Sequence, residues 1–316
     1  MAEEKDINSA KLGVVKLSVA SNGVLVVFKL IVGLAIGSVS VLSEAIHSGI
    51  DLAAAGIAFF AVRSSSQPAD KDHHYGHGKF ENISGFVEAI LIFFGAAWII
   101  YESVDKLVHP VSIDRIGWGI LVMALSSFVN FAVAQMLFKV GNKADSIAVK
   151  VDAWHHLTDV YTSAGVMVGL FLIWLIELIW VGHHVRWIDP VVAILVALLI
   201  IKAAYNLTLQ SLGDLLDESL PKEENALIAR LIKERAGVLS SKNLRTRKAG
   251  AAKFIEVDIL VDAKMSVAEA HQLTDYITAD IEAALSNSTV TIHIEPCTPC
   301  SPSACADNCV STEKRN

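Results

Sequence analysis

Between residues 12 and 209 the chain carries six apolar stretches. Each is close to the ~20 residues that a helix needs to cross the hydrocarbon core of a bilayer. They run over residues 12–35, 39–62, 83–104, 116–138, 148–176 and 188–209. A chain with this pattern has few folds open to it. In hydrocarbon every backbone N–H and C=O must be paired inside its own segment, so the spans must be helices. Composition agrees. Hydrophobic residues make up 53% of the 316 residues and charged residues 19%, against about 25% charge in an ordinary soluble chain. The mean hydropathy is +0.50. These values exclude a disordered chain. The formal net charge of -7 gives no global basic field, so no nucleic-acid partner is expected.

The short loops set the orientation, because Lys and Arg accumulate on the cytoplasmic side. The N-terminal arm has Lys5 and Lys11, the loop after the second stretch has Arg63, Lys71 and Lys79, and the loop after the fourth has Lys139, Lys143 and Lys150. The opposite side has Lys106, Arg115 and Arg186. Both termini are therefore expected in the cytoplasm, with the chain in a cell inner membrane. The arm, residues 1–11, lacks a basic n-region and a small-residue cleavage site, so no removable signal peptide is expected. All four cysteines lie between Cys297 and Cys309, so disulfides do not hold the main fold.

Hydropathy falls after the sixth stretch. Residues 210–296 read as a small soluble domain of order helix, strand, strand, helix, strand, a two-layered α+β sandwich. Pro221 with Glu223 and Glu224 opens a helix through Arg235. A short strand is expected over 244–247. In 254–261, Ile255, Val257, Ile259 and Val261 alternate with polar residues, which predicts a strand with one buried face. Ser266 caps a helix bearing Leu273, Ile277, Ile281 and Leu285. Val290, Ile292 and Ile294 alternate in a last strand. The Cys-containing tail, 297–316, is rich in Pro and Ser and is expected to be flexible. The domain division is thus 1–11, 12–209, 210–296 and 297–316. The expected fold class is a six-helix transmembrane protein with a cytoplasmic α+β domain.

Ionisable residues interrupt two of the apolar stretches. The second holds Glu44, His47 and Asp51, and the fifth holds Asp152, His155, His156 and Asp159. An ionised Asp at the bilayer centre costs roughly 2.5–3.5 kcal/mol even on a lenient scale. Such groups face a protein interior or a water-filled path. His47 and Asp51 are four residues apart and share one helix face, and His155 and Asp159 repeat the spacing. Two imidazoles and two carboxylates make a four-coordinate set suited to a tetrahedral ion such as Zn2+. Two carboxylates also neutralise one divalent cation in a low-dielectric setting. The competing reading is polar pairing between helices, or a proton path. His156 is rotated by about 100° from His155 and should miss the site. Glu44 lies on a nearby face, as an entry ligand or an interfacial partner.

These residues, with Gly37 to Leu42, the loop from Gln67-Pro68-Ala69-Asp70 to His77-Gly78-Lys79, Asp152-Ala153-Trp154-His155, Gln210-Ser211-Leu212, Leu220-Pro221 and His293 to Cys297, stand in a specific order. In that order the chain resembles the cation diffusion facilitator family of metal–proton antiporters over residues 10–297. The resemblance implies a homodimer with six membrane helices per chain and a metallochaperone-like cytoplasmic domain. It implies a transport site at His47, Asp51, His155 and Asp159. A His at the first of these positions implies preference for Zn2+, with iron, cobalt, nickel or cadmium as alternatives. Manganese-devoted relatives carry an Asp pair on helix five, which this chain lacks. The resemblance also implies a loop metal site at Asp70, His73 and His77, whose spacing suits a compact turn around one ion. His74 and Asp72 are further candidates there, and a solvated His-rich loop is the competing reading.

A third set lies in the soluble domain. Alternation puts Asp258, His293 and Glu295 on the non-core face of their strands, and His271 lies off the apolar stripe of its helix. The resemblance places a two-metal cluster at this dimer contact. This chain departs from it: Lys242 and Asp258 stand where His is expected, and Glu295 where Asp is. A lysine ammonium is not a ligand and repels cations. One ion held by Asp258, His271, His293 and Glu295, or an ordinary charged strand face, are the two readings. Cys297, Cys300, Cys305 and Cys309 can bind zinc or a soft ion as thiolates, or form a reduced, idle tail. The resemblance further pairs Lys79 with Asp217 near the membrane surface.

The expected function is proton-coupled efflux of Zn2+ across the bilayer, with protons as counter-ion and no enzymatic step. No GxxxxGK[ST] segment occurs, so an ion gradient rather than ATP is the expected energy source. The rivals are a membrane metal sensor or scaffold, a membrane metalloenzyme, and a metal importer. Four protein ligands argue against the enzyme, since catalytic zinc keeps an open position.

Overall fold

The computed structural model describes residues 2–36, 39–108, 116–179 and 187–297. The chain divides into two compact units, Met1–Leu212 and Gly213–Asn316. Among the described residues the first unit is built from six long helices: α1 (Ala2–Ile36), α2 (Val39–Ser65), α3 (Lys79–Val108), α4 (Ile116–Lys143), α5 (Ile147–Ile179) and α6 (Ile188–Leu215). Four stretches among them are long and apolar enough to cross a membrane: Ile7–Val32, Lys79–Val108, Ala124–Lys143 and Pro190–Leu215. They lie in α1, α3, α4 and α6. The helices α2 and α5, which carry the ionisable residues, are not among them.

Helix α1 begins at Ala2, so the arm expected over 1–11 is continuous with the first span. Ala2, Glu3, Glu4 and Lys5 are strong helix formers, and nothing there breaks the helix.

Helix α5 is central. One of its faces, with Ala148, Val149 and Ala153, packs on Val15 of α1, Ala58 and Val62 of α2, and Val133 and Leu137 of α4. Another, with Ile147 and Val151, packs on Ala89, Ile92 and Ala96 of α3 and Ile200, Ala204 and Leu207 of α6. The many alanines let helix backbones approach closely, which is how membrane helices gain packing energy. Between α4 and α5 the chain turns sharply through Asp145, whose φ is 47°. A Cβ at Gly141 would stand 3.2 Å from the Lys150 backbone, so glycine lets the chain pass closely here without displacing its neighbour.

Charged residues tie the helices together at one end. Glu81, in the first turn of α3, is 1% exposed. It accepts from the Lys11 ammonium of α1, from the Ser65 hydroxyl at the end of α2 (2.7 Å), and from the Ser146 hydroxyl beside α5.

The second unit has α7 (Lys222–Glu234), β1 (Ser240–Ala249), β2 (Ala252–Asp262), α8 (Val267–Ala284) and β3 (Ser288–Cys297). The sheet order is β1-β2-β3. Strands β1 and β2 are antiparallel, and β2 and β3 are parallel across α8. Ile255, Val257, Ile259 and Val261 of β2 pack on Ile228 and Ile232 of α7 and Leu273, Ile277 and Ile281 of α8. Ser266 caps α8 through a reciprocal box with Glu269. Strand β1 is longer than the 244–247 expected. Its polar flank Ser240–Lys242 pairs with Asp258–Leu260 of β2, with an irregularity between Lys242 and Arg245. Cross-strand pairing, not hydrophobicity, draws these residues into the sheet.

Candidate metal centre

In α5 a helical repeat of 3.6 residues puts His155 and Asp159 one turn apart on one face. That face meets Asp51 of α2. One ligand atom from each of Asp51, His155 and Asp159 lies within 4.8 Å of the others. His155 Nε2 is 3.2 Å from Asp51 Oδ1. Asp51 is 5% exposed and His155 8%, so both are desolvated, while Asp159 is half-buried; two carboxylates, one of them buried, suit a divalent cation. The backbone of His47 belongs to α2, one turn before Asp51, whereas its side chain and that of Glu44 lie outside the described residues.

His156 points away from this cluster. It is fully buried, with Nδ1 3.1 Å from Asn130 Oδ1 and Nε2 2.9 Å from Ser18 Oγ. Asn130 in turn donates from Nδ2 to Asp159 Oδ2 at 3.2 Å. Ser18 Oγ also stands 3.1 Å from Asp152 Oδ1. Sequence reasoning did not find Ser18 and Asn130. Each is one of several polar residues in a mostly apolar stretch, as Asn22 and Ser126 also are, so the sequence did not single them out. Glu88 of α3 was missed as well. It is 1% exposed and accepts from Ser84 at 2.7 Å.

A second group forms in the loop between α2 and α3. One ligand atom from each of Asp70, His73 and His77 lies within 4.8 Å of the others. His73 Nδ1 is 3.3 Å from Asp70 Oδ1, and His77 Nε2 is 3.3 Å from Asp70 Oδ2. The Asp70 carboxylate also accepts from the backbone N–H of His73 (2.7 Å) and of Asp72 (2.9 Å). The His73 N–H holds its carboxyl below the ordinary value of 3.8. Gly76, at φ 78°, turns the chain so that His77 returns to the group. His77 stacks on Phe80 with ring centroids 5.9 Å apart. His74 and Asp72 are exposed and stand outside this three-residue group.

The soluble-domain set does not gather in the same way. Among the described residues, Asp258, His271, His293 and Glu295 form no group of ligand atoms within that range. Pairing aligns Lys242 with Asp258 and Asp258 with His293. Lys242 Nζ lies 2.5 Å from Glu295 Oε2. This contact with Glu295 raises the Lys242 pKa above its ordinary value, so the ammonium stays charged. Asp258 Oδ2 accepts from Asn243 Nδ2 at 2.7 Å. His271 is on α8, exposed, 3.9 Å from Asp275. The Lys242 ammonium thus lies on a carboxylate that an ion at this face would use.

Cys297 ends β3, and Cys300, Cys305 and Cys309 lie outside the described residues. Lys79 opens α3 in the first unit. Asp217 belongs to the second unit, where its Oδ1 is 3.4 Å from Arg247 Nη1.

Residues 15–216 match the family model described as the cation efflux transmembrane domain, and residues 220–297 match that of the cation efflux protein cytoplasmic domain. The chain belongs to the cation diffusion facilitator family. Similar members include an uncharacterized transporter of Synechocystis, 35% identical over 82% of this chain and 82% of its own length. The cation-efflux pump FieF of Shewanella oneidensis is 30% identical over 89% of this chain and 92% of its own length. The solved metal-bound C-terminal domain of the CzcD transporter from Thermotoga maritima is 32% identical over 26% of this chain and all of its own length, with a TM-score of 0.24. As a cation diffusion facilitator, the protein is a membrane transporter for the efflux of divalent cations, with a transmembrane domain followed by a cytoplasmic α+β domain.

Proposed function

We propose that the protein exports Zn2+ in exchange for protons, through a site formed by His47 and Asp51 of α2 and His155 and Asp159 of α5. The convergence of Asp51, His155 and Asp159, the first two buried, carries this reading. Ligands must be deprotonated to take the ion. Zinc entering from the cytoplasm releases protons from the His/Asp set, the helices repack to open the site outward, and protons there displace the ion. Nitrogen and carboxylate donors in a four-coordinate set favour Zn2+. Iron, cobalt, nickel and cadmium are the alternatives.

In this reading all six long helices cross the inner membrane and both termini are cytoplasmic. The domain boundaries follow as 12–209 for the membrane domain, 210–296 for the soluble domain and 297–316 for the tail. The chain acts as a homodimer. Asp70, His73 and His77 hold a second ion, a reading supported by their convergence. Asp258, His271, His293 and Glu295 take an ion only if Lys242 releases Glu295. The tail cysteines capture a soft ion.

The test is Zn2+ flux into proteoliposomes under an imposed proton gradient. Gradient-dependent flux is expected, and Asp51→Ala or Asp159→Ala should each abolish it. Zinc binding without flux in any gradient direction would instead establish a membrane sensor.

A further inference from the structure

Asp159, the half-buried member of the cluster, is held by a side chain from outside it. Asn130 of α4 is 5% exposed, and its Nδ2 donates to Asp159 Oδ2 at 3.2 Å. An amide that can flip would donate there only part of the time. This one has a partner on its other end, because His156 Nδ1 lies 3.1 Å from Asn130 Oδ1. An amide oxygen only accepts, so the hydrogen is on Nδ1 of the ring. That leaves the amide nitrogen as the group facing Asp159. The ring is itself seated by Ser18, whose Oγ is 2.9 Å from Nε2. The Ser18 hydroxyl has one hydrogen and stands between His156 Nε2 and Asp152 Oδ1, so it donates to one of them at a time. A relay of contacts thus runs from Ser18 of α1 through His156 of α5 and Asn130 of α4 to one oxygen of Asp159. All three side chains are buried.

We propose that Asn130 is a positioning residue for the transported ion: its amide, oriented by His156 and Ser18, holds Asp159 Oδ2 and fixes the direction in which the carboxylate points. The inference rests on the proposed role of Asp159 as a ligand. The physical argument is general. A ligating group held by an outer partner loses less conformational freedom when the ion arrives, and such partners are worth roughly 10–100-fold in metal affinity. The hydrogen bond also makes α4 sensitive to the state of the site, although α4 provides no ligand. His156 then has a function despite missing the ion, since its imidazole sets which end of the amide meets Asp159.

The experiment is Zn2+ flux by the full chain in proteoliposomes, with KM and maximal rate separated, for Asn130→Leu and Asn130→Ser. The leucine has similar bulk and no donor. The serine is polar but too short to reach Asp159, and it serves if the leucine variant aggregates on size exclusion. KM should rise about 10–100-fold, with a smaller change in the maximal rate at saturating zinc. In a chain relieved of its loop site by His73→Ala and His77→Ala, the visible absorption band of bound Co2+ should shift in the same variants. An unchanged KM and an unchanged Co2+ band overturn the role of Asn130, as does a lowered maximal rate with unchanged KM. If Asp159→Ala still abolishes flux in that case, the ligand assignment survives the failure. Flux that persists in Asp159→Ala overturns the ligand assignment, and the positioning role with it.

Discussion

At the scale of single residues, Lys242 decides the chemistry of the soluble domain. Its ammonium lies against Glu295, and Asp258 is its cross-strand partner. Contact with Glu295 holds its pKa above the ordinary 10.5, so no physiological pH removes the charge. Replacing it should open the face to a cation. Lys242→His frees Glu295 and adds an imidazole beside Asp258 and His293. The full chain carrying this change should bind an additional zinc ion, read by titration against the parent chain. An unchanged stoichiometry would mean that the strand face lacks the geometry for an ion whatever stands at that position. The departure at Lys242 was visible in the sequence, because a lysine in a set of His and Asp positions is conspicuous. Its pairing with Glu295 was not, because the partner lies 53 residues away on a strand that β2 separates from β1.

At the scale of elements, the ends of helices carry much of the local energy. Ser266 accepts from the Glu269 N–H, and the Glu269 carboxylate accepts from the Ser266 N–H at 2.8 Å. Ser266→Ala should cost about 1 kcal/mol of soluble-domain stability, measured by urea unfolding. The Ser266 hydroxyl, followed by its backbone N–H, holds the Glu269 pKa below its ordinary 4.5. A carboxyl depressed in the folded state adds stability above its unfolded pKa and loses it as pH falls through its folded value. Thermal stability of the domain should therefore decline on acidification below pH 4.5, and less steeply in Glu269→Gln. A buried counterpart sits in the membrane unit, where Glu81 joins α1, α2, α3 and the start of α5. Glu81→Ala leaves the Lys11 ammonium buried without its carboxylate, and removing one partner of a buried pair costs about 3–5 kcal/mol. A lowered unfolding temperature in detergent is expected, and an unchanged one would show that water reaches Lys11. The order of elements in the soluble domain was legible because alternation and caps are local signals. The polar half of β1 was not, since only its neighbour β2 makes Ser240–Lys242 a strand.

At the scale of the whole molecule, the orientation in the membrane is the property that the proposed direction of transport depends on. The natural cysteines all lie from Cys297 onward, so they report the side of the C-terminus without further substitution. A thiol reagent that cannot cross membranes should fail to label intact cells and should label them after permeabilisation. Labelling of intact cells would place the C-terminus outside and reverse the proposed direction. The apolar runs, the loop charges and the two HxxxD spacings are properties of short stretches of chain. The sequence by itself therefore determined a membrane protein with a soluble α+β domain and marked the two helix faces that carry His and Asp. Tertiary structure alone decided which residues from distant segments meet. It brought Asn130 to Asp159, Ser18 to His156, and Lys11 to Glu81. The physical reason is that periodicity specifies which face of a helix is buried, whereas the partner of each buried polar group depends on how α1, α3 and α4 pack around α2 and α5.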